Sequence, residues 1–593
     1  MASFELCRPG SNGARLALSG AFTLALLAAP LPAAAQMVFD GNIVFGNGNL
    51  TQAGQYRSDN VPALPLGSCG VGFTTQQLAE VAFVENSYTD PLLSAAINLG
   101  APVWRPSAGS PAFPGNPGHG KAVNVPADGW FEQTCYVGAL DSLDTNDWTL
   151  GWTYYDSLGI GRTDLDLARP IRILDNLRFN APYSLVNDTN YVFRGQVRVI
   201  SGGLLVVEAG TQCFGEQATV GTLIIERGGR IHAEGTAVQP IVMTSDAALF
   251  GGPQTRGGWG GINILGRALA NCLGTNATAG DDTCFSEGGA IGVYGGNDDT
   301  DSSGVLRYVR VEYSGKEIST DNELNSFTFN AVGSRTVLEY LQAHRGGDDG
   351  LEFFGGAARI KHAIATDGTD DGFDWQVGYR GKAQFIVIRT SQDLTPSTSG
   401  GVGQLGEKGL ECDNYEFGND NLPRSNPACA NFTVVGDRRS GPGGGNGVQY
   451  RRGTAATFVN SIVWNHELQG LRITDVATWN ALCNAGFARP GLYSCAVTGV
   501  DPIAAGSVFL SRGTPNPFRN SVAIRFALPR DARVSVKLYD ANGRQVADVA
   551  DRDLAAGDHV ITWDAKRELP SGMYFYRVDA GDMVSHGKIV RAD

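Results

Sequence analysis

The sequence predicts an all-β chain, a parallel β-solenoid followed by a smaller β-sandwich, and three observations carry that prediction. The first is a repeat. Val337-Leu338-Glu339-Tyr340, followed by Gly347-Asp348-Asp349-Gly350-Leu351-Glu352-Phe353, recurs 22 residues later as Arg359-Ile360-Lys361-His362, followed by Thr369-Asp370-Asp371-Gly372-Phe373-Asp374-Trp375. The second is composition: 79 glycines in 593 residues are almost twice the ordinary share, and only 18% of residues are charged. The third is the tail, where residues 507–593 read as a series of short alternating strands with Asn542-Gly543 as a hairpin turn. An apolar content of 42% is ample for a core and excludes general disorder. No Gly-X-Y period exists, which excludes collagen. The 46 basic and 60 acidic residues, with no basic run, argue against nucleic acid or anionic lipid as the main partner.

Taken from the front, residues 1–35 read as a secretory signal peptide: Arg8 and Arg15, an apolar run from Leu16 to Ala29, and Ala33-Ala34-Ala35 as the cleavage site. No segment approaches the roughly 20 apolar residues of a transmembrane helix. Cysteine usage fits an oxidising compartment, with Cys272/Cys284, Cys412/Cys429 and Cys483/Cys495 as local loops, Cys69/Cys135 as a longer one, and Cys213 left over as a small buried apolar residue. Residues 36–189 form an aromatic- and loop-rich capping region. In it Thr74-Thr75-Gln76-Gln77 before Leu78–Phe83 reads as a capped helix, and Trp130, Trp148, Trp152, Tyr154 and Tyr155 cluster. These aromatics either plug an open end of the solenoid, the favoured reading, or form sugar-stacking platforms through Trp148, Trp152 and Tyr154.

Residues 190–475 carry the repeat. Its second-strand pattern recurs at Gly261-Ile262-Asn263-Ile264, Gly409-Leu410-Glu411-Cys412, Gly447-Val448-Gln449-Tyr450 and Gly470-Leu471-Arg472-Ile473. One such unit cannot bury its own apolar face, so units must stack about 4.8 Å apart. Longer spacings fit if loops bulge outward, as at Pro396–Gly403 and Asp413–Ala428. Residues 476–506 read as a disulfide-closed cap and linker, and 507–593 as an immunoglobulin-like β-sandwich of about seven strands.

The stretch from Gly202-Gly203-Leu204 through Pro240-Ile241-Val242-Met243-Thr244-Ser245 resembles the opening coils of secreted bacterial right-handed parallel β-helix proteins. Gly347–Gly356 and Asp370–Trp375 resemble a group of exported β-helix surface proteins of unassigned activity. In the tail, Pro515-Asn516-Pro517-Phe518, Gly572-Met573-Tyr574 and Gly587-Lys588-Ile589-Val590 resemble the type IX secretion C-terminal sorting domain, and equally the Ig-like module of flagellar hook-capping proteins. That resemblance implies handling by type IX machinery and a secreted or outer-surface location.

Catalytic signatures are absent: there is no HExxH, no G-x-S-x-G and no Walker loop. The histidines show no ligand spacing. One constellation remains. Stacking at the 22-residue offset puts Asp348 over Asp370, Asp349 over Asp371 and Glu352 over Asp374, with Glu411, Gln449 and Arg472 continuing the last file. Such a ladder is solvated, partly protonated or bridged by a cation, and calcium, a hard ion taking six to eight oxygens, is the natural bridge. The family of β-helix pectate lyases pairs acidic residues and calcium with a basic proton acceptor, and Arg345, Arg359 and Lys361 lie nearby in sequence, but no full lyase or polygalacturonase motif is present. The sequence thus points to an exported structural, adhesive or glycan-binding protein, with a polysaccharide lyase or glycoside hydrolase acting through the acidic cluster as the alternative. It names no ligand or substrate.

Overall fold

The computed structural model describes residues 37–47, 56–59, 86–93, 96–98, 102–117, 122–141, 147–155, 165–272, 284–288, 291–319, 322–390, 408–436, 438, 445–474, 477–478, 511–514, 518, 521–528, 530–540, 544–564, 570, 572–581 and 583–591. The predicted helix at 74–83 and Cys69, Cys483 and Cys495 lie outside them, as does the signal peptide.

Each coil of the solenoid has three faces. In the central repeat, Val337–His344 bends at Tyr340, so that 337–339 and 341–344 lie on a first and a second face, and Leu351–Phe354 forms the third. Every strand pairs in parallel with its equivalent in the next coil, as Val337 with Arg359 and Glu352 with Asp374. The third faces alone make an eleven-stranded sheet. Alternation explains the core: Leu351, Phe353, Phe373 and Trp375 point inward and are fully buried, while Glu352 and Asp374 between them point outward.

The bend between the first two faces falls on Tyr308, Tyr340, His362 and Phe385, all with φ of 50° to 60°. Bulky side chains rarely adopt this conformation. Here stacking holds it: Tyr308 on Tyr340 at 4.3 Å, Tyr340 on His362 at 4.6 Å and His362 on Phe385 at 5.0 Å. The repeat had aligned His362 with Tyr340, and the structure shows why an imidazole can replace a phenol there: both supply a flat ring to one column.

The stack extends beyond 190–475 at both ends. Its first strand is Ile171–Asp175, paired with Asn190–Arg194. Its last coil comes from the other end of the chain: Met37–Asp40 pairs with Ala456–Val459, Ile43–Phe45 with Ile462–Trp464, and Tyr56–Asp59 with Leu471–Thr474. The capping region therefore closes the C-terminal end of the solenoid with genuine coil strands. It then runs over the outside of the stack, where Trp104, Phe113, Val137, Leu140 and Trp152 bury the outward side chains Ile364, Val387, Val435 and Ile462. The described residues of this segment have scarcely any regular secondary structure, and side chains of the coil bond to their backbone: Asn460 bonds Val123 through both its N–H and its C=O, and Gln342 accepts from the Tyr154 N–H.

The disulfide expectations divide. Cys272–Cys284 is formed, with Cα atoms 6.0 Å apart. Cys135 is disulfide-bonded as well. Cys412 and Cys429 are instead free buried thiols, as is Cys213. They sit on different faces and both point into the core, Cys412 in file with Trp375 and Tyr450 and Cys429 with Ala383 and Phe458. Each serves as a small apolar core residue. The 413–427 excursion is held by polar contacts: Asp413 takes Arg451 and Arg452 at 2.8 Å, and Asn414 bonds Asn271, Asn419, Asn421 and Ser425.

The tail, within a separate compact unit at Tyr493–Asp593, has seven antiparallel strands in sheets of three and four around one core. Phe518 and Tyr574 of the sorting motif are buried there, packed against Trp563 at 5.7 and 6.1 Å, and the Tyr574 hydroxyl donates to the Pro570 carbonyl at 2.7 Å. Gly572 opens the strand Gly572–Ala580, and Lys588 pairs with Phe575. Pro515, Asn516 and Pro517 lie outside the described residues.

Candidate functional site

The acidic residues that stacking brings together lie on the outer side of the third face and in the turn before it. They form two groups, Asp348/Asp349/Asp370 and Asp349/Glu352/Asp374, in each of which one oxygen per residue lies within 4.8 Å of the others. Asp371 donates its backbone N–H to Asp349 Oδ1 at 2.8 Å, so the two turns interlock. Sequence reasoning allowed for solvated turns. The structure buries them: Asp348, Asp349, Glu352, Asp371 and Asp374 are each less than a tenth exposed.

The cover is the excursion between Ile262–Leu265 and Gly304–Glu312, together with the hairpin Lys316–Ser319/Asn322–Leu324. Ala268, Ala270, Cys284, Ile291, Tyr294 and Leu324 pack with Phe354 and Val377 of the third face in one apolar cluster. The Cys272–Cys284 bond is part of this cover. The cover brings more acid, because Glu287 and Glu323 act on Asp348 and Glu287 acts on Glu352. Neither was visible as part of the site in the sequence, since both come from outside the repeat.

Burial is the largest cause pushing the carboxyls of Asp348, Asp349, Glu352, Asp371 and Asp374 well above the usual carboxylate range, and the neighbouring carboxylates push the same way. Among the described residues the file is neutralised only at one end. Lys408 lies 2.6 Å from Glu411 and 3.4 Å from Asp371, and Arg451 pairs with Glu411 and Asp413. Against burial, these cations hold Glu411 down at about 2. At the other end amides cover Glu352: Gln376 donates to its Oε1 at 3.1 Å and Asn325 to its Oε2. Between them, Asp371 Oδ1 and Asp374 Oδ1 are buried without a hydrogen-bond partner among the described residues.

Three oxygens no more than 4.8 Å apart can all lie within about 2.8 Å of a central ion, close to the 2.3–2.6 Å of calcium coordination. The donors are all oxygen and predominantly carboxylate, which suits a hard divalent ion. Arg359 and Lys361 are on the first face, away from this file, and Arg345 sits 4.0 Å from Asp367. The basic residues singled out in the sequence therefore do not join the acids to make a proton-transfer pair.

The aromatics Trp148, Trp152 and Tyr154 are committed to packing. Trp148 meets His362 edge-on at 5.2 Å, Trp152 meets Tyr308 at 5.6 Å, and Tyr154 stacks on the buried His344 at 3.8 Å. Beside them is a network the sequence did not reveal. Arg389 grips Asp367 through two nitrogens, and the Tyr155 hydroxyl donates to Asp367 at 2.6 Å. With Arg389 and Asp367 almost wholly enclosed, this network anchors the overlying segment to the coil.

Residues 179–490 match the family model described as a pectate-lyase like beta helix domain. Residues 514–591 match that of the secretion system C-terminal sorting domain. No curated protein and no solved structure matches the chain.

Proposed function

Because the chain belongs to the family of pectate-lyase-like β-helix domains and ends in a secretion-system sorting domain, we propose that it is a calcium-stiffened scaffold with an adhesive or glycan-binding role. The sorting domain makes it an exported protein of the outer cell surface, handled by type IX secretion machinery. The single observation that supports calcium is the buried acidic file with unsatisfied oxygens at Asp371 and Asp374. The binding role draws on the way the fold spends its residues. The aromatic column and the Arg389–Asp367–Tyr155 network are used for packing, and the carboxylates are covered by a disulfide-closed excursion. A lyase needs carboxylates and a base open to a polymer, and this arrangement supports that alternative less well.

The test has two parts on the mature chain. Calorimetry with and without a chelator reads the ion; retention on a glycan panel, with product release monitored in the same wells, reads the role. Retention without release supports the scaffold. Release of unsaturated or reducing products would replace it with the lyase or hydrolase reading.

A further inference from the structure

A second site lies on the first face, remote in kind from the acidic file. Trp130, Arg335, Glu339, Arg359 and Lys361 line an open surface groove of ≈ 120 Å³. That is below the roughly 300–1,000 Å³ of drug-sized sites, and suits one sugar unit lying in an open groove rather than an enclosed ligand. The fold builds it from three segments. Val337 pairs with Arg359 in adjoining coils, placing Arg335, two residues before Val337, on the neighbouring coil to Arg359. Arg359 and Lys361, two apart on one strand, share its outward side. The overlying segment contributes Trp130, in edge contact with Phe131 at 4.8 Å.

The charges do not cancel. Lys361 is paired with Glu132 at 2.7 Å and sits 4.9 Å above the Trp130 ring. Glu339 is taken by Arg307 at 2.9 Å. Among the described residues Arg335 and Arg359 make no ion pair; Asp298 senses Arg335 only through space. Two guanidinium forks thus line one groove whose lining carboxylate, Glu339, is already paired with Arg307. Two forks offer more donors than the two oxygens of one carboxylate can order, whereas a sulfate or phosphate ester presents three free oxygens that two guanidiniums can divide. The indole supplies the apolar wall beside which a sugar ring lies.

We propose that this groove binds a sugar unit carrying a sulfate or phosphate ester, with Arg335 and Arg359 on the ester and Trp130 flanking the ring. The proposal rests on the glycan-binding reading and adds the ligand class and the place. The experiment measures binding of the full mature chain to four probes: κ-carrageenan tetrasaccharide (sulfate), pentamannose phosphate, hyaluronan tetrasaccharide (carboxylate only) and maltotetraose (neutral). The wild type should bind one or both esters at least about tenfold more tightly than the last two, the better one identifying the source. Arg335→Gln and Arg359→Gln should each weaken that binding about tenfold, with melting unchanged because neither side chain holds the fold by an ion pair. Equal binding of hyaluronan overturns the ester assignment. Ester binding that survives both substitutions overturns the groove but leaves a glycan-binding surface elsewhere. Retention of no glycan by the wild type overturns both readings.

Discussion

Asp374→Asn separates the electrostatic account of the acidic file from any purely structural one, because it should act in opposite directions with and without calcium. Two carboxylates 4.8 Å apart repel by about 3.5 kcal/mol at an effective dielectric of 20. Asp374 has two such neighbours, Asp349 and Glu352. Their raised pKa values mean that part of this repulsion is already relieved by protonation, leaving about 2 kcal/mol for an isosteric amide to recover. For a solenoid of some 400 residues that is roughly 2–3 °C. In chelator the variant should therefore melt higher than the wild type. In calcium the order should reverse: ion binding at a hundred times its dissociation constant adds about 2.7 kcal/mol to the wild type, and the variant forfeits most of it. The pH dependence has a definite sign. A carboxyl whose folded pKa is raised binds a proton that the unfolded chain releases, so the ion-free protein loses stability as pH rises from about 4 towards the raised value. Ion-free wild type should melt higher at pH 5 than at pH 7, and calcium should abolish or invert that slope. Scanning calorimetry of both proteins under the four conditions decides it. A wild-type melt indifferent to chelator, or a variant that melts lower than the wild type in chelator, would refute the reasoning.

Phe39→Ala should loosen the terminal coil by about 3–5 kcal/mol, since Phe39 is fully buried and stacks on Phe458 at 5.4 Å; limited proteolysis should then cut first around residues 37–59, and unchanged cutting would count against the N-terminal closure. Burial holds the His362 imidazole down at about 4, so the unfolded chain protonates first and stability is lost as pH falls from about 6.5 towards 4. His362→Phe keeps the ring column and should remove about 2 kcal/mol of that loss at pH 5, read as a rise of the pH 5 melt relative to the pH 7 melt at one fixed calcium concentration; an unchanged difference between the two melts would count against this account of His362. Cys213, Cys412 and Cys429 should resist alkylation in the native protein and react fully once it is unfolded, while Cys272 and Cys284 react only after reduction; peptide mapping that finds Cys412 joined to Cys429 would contradict the assignment. Deleting residues 514–591 should strand the protein in the periplasm, and fractionation that still finds it on the surface would count against sorting by this domain.

The solenoid was legible because parallel stacking turns a linear repeat into a spatial register. The 22-residue offset that aligned Glu352 with Asp374 is the pairing the structure contains. Burial of the same residues was not legible, because the cover comes from 266–303, an excursion with no repeat pattern of its own. The closure by 37–59 escaped for a related reason: an extra coil joined through sequence separations above 400 leaves no periodicity to detect. The proposed Cys412–Cys429 staple assumed that proximity in sequence meant proximity of sulfurs. Two cysteines on different faces, each pointing into the core, need no bond to be useful, and the excursion between them is held by Asp413 and Asn414 instead.

The position of the unsatisfied oxygens follows from the architecture. A solenoid repeats each outward residue at every coil, so an acidic residue in the repeat accumulates charge unless the file is interrupted. Upstream of Glu352 the interruption is neutral, with Thr328 and Asn263 in the same file. Downstream it is cationic: Lys408 and Arg451 gather around Glu411, and Gln449 and Arg472 continue the file. Only between these two ends do acids follow acids, and there the turn adds Asp348, Asp349, Asp370 and Asp371 while the cover adds Glu287 and Glu323. A cover that merely shielded an awkward patch would bring amides or cations to it. This one brings more carboxylates, which raises the cost of the ion-free state and multiplies the donors available to a divalent ion. The excursion that carries Glu287 is closed beside it by the Cys272–Cys284 bond, which holds that acid against the file, while Glu323 stands on the separate hairpin Lys316–Ser319/Asn322–Leu324. Repulsion that is built in from two sides and then locked is stabilising only when a cation sits between them, and that conditional stability is what the Asp374→Asn crossover measures.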